Sequence, residues 1–460
     1  MSPLRRWQSE CIDKALRVYQ TRRHFLCQAT PGAGKTMMAA SLAARLLSED
    51  KIDLVFCFSP SVSVAAGIKQ TFSHILNARF DGKIGAVGGS YTYQSMSHFS
   101  SDFWSIIREN RVFVVFDEIH HCAGQDAVES NVWGQKIIAN IQEQAAFTLA
   151  LSGTPWRSDR TPISLARYSD PEGRIQCDYS YSFQVAVSDG VCRAPNIVLV
   201  DNENLRVSGS DLPSQTFGGI KELLQDSNVG YDELLRTKDA LEYVLKLGCE
   251  KLEQIRARIP DAAGLVVTSS IEHAYQVANL LRARGEMPVT VTYQTLDAQG
   301  LIHRFKLGNE RWLVSVGMVS EGTDIPRLQV CCHLSRVRTE LYFRQVLGRI
   351  VRARNLGDMD AWLFMLAEPD LSQFAHRVGV DLPEQHVVSF DIRMREQSKT
   401  GSNGNALPSH TRVSELGVEF ECSDSESRVS FETVTSCRGS NAIGVEFLGA
   451  YRDAILAVFS

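Results

Sequence analysis

The stretch HFLCQATPGAGKTMMAASLAARLL, residues 24–47, decides the fold. It opens on a short apolar run suited to a buried strand and closes on apolar residues at helical spacing. Between them lies ATPGAGKT, Ala29 to Thr36. In such a strand-loop-helix setting Gly32 and Gly34 let backbone N–H groups approach phosphate oxygens, and the helix N-terminus adds a favourable dipole. Thr30, Pro31 and Ala33 complete the loop. Lys35 is then placed to reach the β- and γ-phosphates of a nucleotide, and the Thr36 hydroxyl to ligate Mg²⁺. The loop departs from the general G-x-x-x-x-G-K-[ST] form because Ala29 holds the first glycine position.

A phosphate loop needs an acidic partner, and RVFVVFDEIHH, residues 111–121, supplies one. A run of β-branched and aromatic residues ending in two carboxylates predicts Asp117 and Glu118 at the C-terminal end of a buried strand, beside the loop of a doubly wound sheet. There Asp117 can hold Mg²⁺ through water, and Glu118 can orient or deprotonate an attacking water. A solvated strand end is the alternative, which the pairing with residues 29–36 makes unattractive.

Working outward, LVFCFSP (54–60) and AFTLALSG (146–153) are further strand candidates alternating with helical stretches, which predicts a parallel sheet covered by helices. A second series begins near Gly264: GLVVTSS, MPVTVTY, RWLVSVG and LQVCCHL, again separated by helical patterns. The chain therefore reads as two α/β domains, 1–200 and 261–395. Residues 201–260 read as a helical connector, because apolar residues from Phe217 to Ile259 recur at helical spacing. A Ser/Gly/Asn-rich linker at 396–407 precedes a small C-terminal extension, 408–460.

With these motifs in place, the chain resembles the superfamily 2 helicases and translocases of the DExH type, Asp117-Glu118-Ile119-His120 forming the second motif. The resemblance covers roughly residues 3–370 and implies two tandem RecA-like lobes that close on ATP and grip a nucleic-acid strand. LRRWQ looks like the family's adenine-reading element, implying Gln8 and Arg5 at the adenine edge. SGTPWR is similar to the third motif, implying that Ser152 and Thr154, with His120, link the nucleotide site to the nucleic-acid site. FSPS and TYQSM resemble strand-contacting motifs, implying Pro60, Ser61, Thr92 and Gln94 near the nucleic-acid backbone, although ordinary loop chemistry accounts for these residues equally well. VGMVSEGTDIP is similar to the fifth motif, implying Gly322 and Asp324 at ATP. QVLGRIVR matches the sixth through Gln345, Gly348, Arg349 and Arg352. Two guanidiniums three residues apart share a helix face and can neutralise charge developing on the γ-phosphate.

The expected activity is ATP hydrolysis, with ATP and Mg²⁺ as cofactors, coupled to movement on DNA, with RNA possible. The alternatives are a duplex translocase or remodeller within a repair, restriction or defence system, and an ATP-gated scaffold. Net charge is −5, from 48 basic and 53 acidic residues, so nucleic-acid binding has to come from a local patch. Part of the stretch Arg336 to Arg354, with six arginines and one acid, is the candidate, although a solvated basic helix accounts equally well for Arg336, Arg338 and Arg354. The eleven scattered cysteines contain no C-x-x-C pair and signal neither zinc nor a disulfide framework. No run approaches a membrane span, and the expected location is cytoplasmic.

Overall fold

A computed structural model describes residues 3–122, 134, 136–137, 140–154, 162–169, 174–209, 212–317, 324–354, 360–378 and 444–458. Gly322 of the fifth motif, Pro155 to Arg157 of the third, the 396–407 linker and most of the C-terminal extension lie outside them.

The first lobe comprises α1 (Arg6–Val18), β1 (His24–Ala29), α2 (Lys35–Ser48), β2 (Leu54–Ser59), α3 (Val62–Leu76), β3 (Gly88–Thr92), α4 (Ser101–Glu109), β4 (Val112–Phe116) and β5 (Phe147–Ser152). A short ribbon, β6 (Arg167–Tyr168) and β7 (Ile175–Gln176), then leads to β8 (Tyr179–Tyr181) and α5 (Phe183–Ser188). The six strands β3-β2-β4-β5-β1-β8 form one parallel sheet. β4 shows why it is continuous in apolar residues: Val112, Val114 and Phe116 pack into the core on one face, Phe113 and Val115 into that on the other.

The second lobe contains β9 (Ala194–Asn202), β10 (Leu205–Gly209), β11 (Leu212–Phe217), α6 (Ile220–Asp226), α7 (Tyr231–Leu234), α8 (Lys238–Arg256), β12 (Ala263–Thr268), α9 (Ile271–Ala283) and β13 (Val289–Val291). It continues with α10 (Ala298–Leu307), β14 (Trp312–Val316), β15 (Leu328–Leu334), α11 (Glu340–Ile350), β16 (Asp360–Leu366) and α12 (Pro369–His376). The C-terminal end of the chain adds β17 (Gly444–Phe447) and β18 (Tyr451–Ala457). Its sheet runs β13-β14-β12-β15-β16-β9-β18, parallel except for β18.

Three boundaries differ from the sequence reading. β9 is registered against β16 from Ala194↔Asp360 to Val200↔Leu366, so the second lobe begins before residue 200. Residues 205–209 and 212–217 are strands, not helix: β10 pairs antiparallel with β11 and with β17. α8, expected as part of a connector, packs directly on the sheet, where Gly248 lies against Cys332 and Trp312. No helix among the described residues is long and apolar enough to cross a membrane.

Candidate nucleotide site

Sheet order assembles the site. β5 lies between β1 and β4, so the segments leaving these three strand ends, 30–34, 152–154 and 117–118, converge at the C-terminal edge of the sheet. Gly32 and Gly34 both have positive φ, +83° and +92°, and Gly34 caps α2 with no side chain in the way. The helix N-terminus is thereby open to an anion.

Lys35 Nζ donates to Glu118 Oε1 at 3.0 Å and to the Ala29 carbonyl at 3.2 Å. Glu118 adopts a left-handed conformation, φ 51°, which a non-glycine residue takes only where its surroundings enforce it. Its Oε2 accepts from the Gly153 N–H at 3.2 Å and lies 3.4 Å from His120 Nδ1. The same ring nitrogen is 2.9 Å from Ser152 Oγ, which accepts from the Thr154 N–H at 3.1 Å. His120, Ser152 and Thr154, expected as a linked set, are thus brought into one buried hydrogen-bonded chain with Glu118.

Asp117 is fixed by its backbone. Its N–H donates to the Phe58 carbonyl and its own carbonyl accepts from Tyr93 OH, both at 2.8 Å. Its Oδ1 is buried without a hydrogen-bond partner among the described residues, as a ligand atom for a cation would be. Burial pushes the Asp117 carboxyl up to about 6, and neighbouring Glu118 adds to the rise. Glu118 is under the same burial, but Lys35 and then His120 hold it down, to about 2.

Arg5 and Gln8 sit on the loop itself. Arg5 Nη1 donates to the Ala33 carbonyl at 2.7 Å, and Gln8 Nε2 donates to the Gly34 carbonyl at 3.0 Å while its Oε1 accepts from the Arg5 N–H. In this structure the Gln8 carboxamide therefore engages the protein backbone.

The second lobe closes the other wall of a cleft of about 850 Å³. Gln345, Arg349 and Arg352 line it opposite Gly32, Lys35, Thr36, Asp117 and Glu118. Arg352 Nη1 pairs with Asp324 Oδ1, and the Arg352 stem passes so close to Gly32 that a Cβ there would meet its Cγ at 2.8 Å. Burial works against an ionised Asp324, yet Arg352, with Lys306 and Arg349, holds its carboxyl below the usual range. Pro60 lines the same cleft, whereas Ser61 caps α3 through the Val64 N–H. Thr92 pairs in register with Ser59, and Gln94 is exposed just beyond. These four residues share the edge reached by β2 and β3.

Sequence reasoning missed three contributors. The Gly153 N–H touches Glu118, Tyr93 holds the Asp117 backbone, and Gln299, His303 and Lys306 turn one face of α10 into the cleft. Only the last had a signal, polar residues recurring at helical spacing; the first two depend on strand adjacency.

The residues fit both expected groups. A glycine-rich loop, a lysine and opposing arginines suit a triphosphate, and the Thr36 hydroxyl with the partnerless Asp117 oxygen suits a hard divalent cation.

Two tandem α/β lobes with a phosphate loop facing arginines define a P-loop protein of the RecA-like type. Residues 1–157 match the family model described as type III restriction enzyme, res subunit. ML1624 of Mycobacterium leprae, an uncharacterized protein, is 30% identical over 415 residues, covering 87% of this chain and 68% of that one. The DNA 3'-5' translocase XPB2 of Sulfurisphaera tokodaii is 22% identical over 379 residues, covering 76% and 79%. Among solved structures, the fragment of a putative HsdR subunit of a type I restriction enzyme from Vibrio vulnificus superposes with a TM-score of 0.56 at 18% identity, covering 83% and 68%. The chain belongs to the superfamily 2 helicase-like proteins, in the same family as ML1624.

Proposed function

We propose that the protein is an ATPase that couples hydrolysis in the cleft to movement along DNA. The observation that carries this reading is the convergence of Lys35, Thr36, Asp117 and Glu118 from one lobe and Arg349 and Arg352 from the other on a single cavity. A nucleotide-gated scaffold has no need of a general base and two guanidiniums placed together.

The chemistry follows from the pairs already formed. When a triphosphate enters, Lys35 exchanges its Glu118 partner for phosphate oxygens. Glu118 then loses the charge that most depresses its pKa and becomes a stronger base for the attacking water. Arg349 and Arg352 meet the charge that develops on the transferring phosphoryl group. Thr36 and Asp117 would hold Mg²⁺, which supplies neutralisation of phosphate charge when bound. Because Glu118 is joined through His120 and Ser152 to Thr154, a change at the γ-phosphate position is felt at the motif leading out of β5.

DNA rather than RNA is favoured by the relative named as a DNA translocase. Because that name says translocase, the second reading is movement on DNA without strand separation. The test is steady-state ATPase of the protein and of Glu118→Gln with no polymer, single-stranded DNA, duplex DNA and RNA. Stimulation by DNA that vanishes in the variant supports the proposal. Turnover indifferent to every polymer, or persisting in the variant, removes it.

A further inference from the structure

The segment that joins the lobes contains a fully buried arginine that no motif includes. Arg193 lies between α5 and β9, with 0% of its surface exposed. Its guanidinium serves three carbonyls. Nη1 donates to Leu328 and Ile350, both at 2.7 Å, and Nη2 donates to Pro326 at 2.9 Å. Its backbone N–H donates to the Val351 carbonyl, also at 2.7 Å.

The positions of these acceptors matter. Ile350 ends α11 and Val351 caps it, so Arg193 satisfies carbonyls that a helix leaves without an intrahelical partner, and brings a positive charge to the negative end of the dipole. Arg349 precedes Ile350, and Arg352 follows Val351. Leu328 begins β15, and Pro326 lies in the short segment between Asp324 and that strand. One buried fork therefore holds, from behind, both backbone segments whose side chains form the Arg352–Asp324 ion pair. The neighbouring residue continues the connection: Cys192 bridges antiparallel to Arg352, and its thiol lies 3.5 Å from the Pro31 carbonyl of the phosphate loop.

We infer that Arg193 is a positioning residue for hydrolysis, clamping the ends of α11 and of the Asp324 segment so that Arg349 and Arg352 face the phosphate loop. This rests on the ATPase reading above. The guanidinium serves these carbonyls from two separate nitrogens in a fixed plane, whereas a lysine ammonium, although it also has three donors, presents them from a single, shorter-reaching atom. Burying such a charge is costly, and its retention here is accounted for by the geometry it imposes. Because displacements of about 1 Å at a reacting centre cost up to about a hundredfold in rate, a loosened clamp acts on turnover more than on binding.

The experiment is a double-mutant cycle with Arg193→Lys, Arg352→Ala and the combination, in the full chain with its stimulating polymer. Turnover is expressed per site titrated with a fluorescent ATP analogue, so that loss of folded protein is divided out. Arg193→Lys is expected to lower kcat at least about tenfold with KM for ATP nearly unchanged, and to cost markedly less in the Arg352→Ala background, where only the positioning of Arg349 is left to lose. Losses that multiply, or a kcat within about twofold of wild type, overturn the inference. Hydrogen exchange gives an independent readout: Arg193→Lys should accelerate exchange around Val351, and unchanged protection there also overturns it. A wild-type protein without turnover would remove the ATPase reading alone, and the exchange result would still decide the clamp.

Discussion

Lys35 Nζ and Glu118 Oε1 lie 3.0 Å apart, so the residue proposed to hold phosphate and the residue proposed to activate water neutralise one another across the mouth of the loop. Replacing either leaves the other without its charge partner, but with different consequences. Glu118→Gln should keep ATP binding and lower kcat by at least about a hundredfold, since it removes a general base from an otherwise intact site. Lys35→Ala should abolish binding itself. Fluorescent-nucleotide titration beside ATPase rates separates the two; equal loss of binding in both variants would contradict these assignments.

Closure of the lobes depends on one glycine of α11. A Cβ added to Gly348 would meet Pro31 Cβ at 3.0 Å and Cγ at 3.1 Å. The proline ring has no flexible end that could move aside. Gly348→Ala should therefore push α11 away from the phosphate loop and reduce kcat by about tenfold, because Arg349 and Arg352 ride on the same helix and its end. Alanine also has the better helix propensity, so thermal stability should be maintained or raised. A parallel fall of stability and kcat would point instead to general disruption.

Ser152 Oγ, 2.9 Å from His120 Nδ1, links the histidine beside Glu118 to the strand leading to Thr154. Ser152→Ala removes the acceptor for the Thr154 N–H as well as the contact to the ring. Basal ATPase should survive within about fivefold, since no group facing phosphate is altered, while stimulation by polymer falls toward unity. Retained stimulation would show that coupling runs elsewhere.

The loop and acidic pair of the proposed nucleotide site are legible in sequence because their residues are contiguous: 29–36 and Asp117-Glu118 each occupy one short stretch, and the structure brings them to one sheet edge. What escaped was whatever depends on strand order or on a long return of the chain. Gly153 contacts Glu118 only because β5 separates β1 from β4, and Arg193 finds its carbonyls more than a hundred residues downstream. β9 was assigned to the first lobe because an apolar strand carries no mark of the sheet it will join. Likewise the pairing of β18 with β9 spans most of the chain and leaves no local pattern.

His333, in the middle of the second sheet, should make that lobe sensitive to acid. It is 0% exposed, neither ring nitrogen has a partner among the described residues, and burial pushes its pKa down to about 4 from 6.5. The folded state thus resists protonation that the unfolded chain accepts. Stability from this group is intact above pH 6.5 and is lost as pH falls toward 4, by roughly 3 kcal/mol in total. Urea midpoints at pH 7.5 and 4.5 should differ less for His333→Leu than for wild type. Identical pH dependence in the two proteins would show that other groups carry the acid sensitivity.

The strands at the C-terminal end of the chain should prove structural for the second lobe. β18 pairs with β9 from Tyr451↔Asn202 to Ala457↔Asn196, covering an edge that would otherwise be open. Tyr451 stacks on Tyr243 of α8 with ring centroids 3.7 Å apart, and Tyr243 OH donates to Asp453 at 2.9 Å, so strand, sheet and helix are joined at one corner. Removing residues 444–460 would expose the β9 backbone, an edge prone to pairing with other chains. The truncated protein should unfold at lower urea concentration and associate with rising concentration by light scattering. Tyr451→Ala, which keeps the strand and removes the stacked ring, should cost about 1–2 kcal/mol without association. Both variants should leave nucleotide affinity unchanged, because α8 and β18 do not line the cleft. A truncated protein that stays monomeric with an unshifted midpoint would mean that β9 is stable as an edge and that the terminal strands serve another purpose.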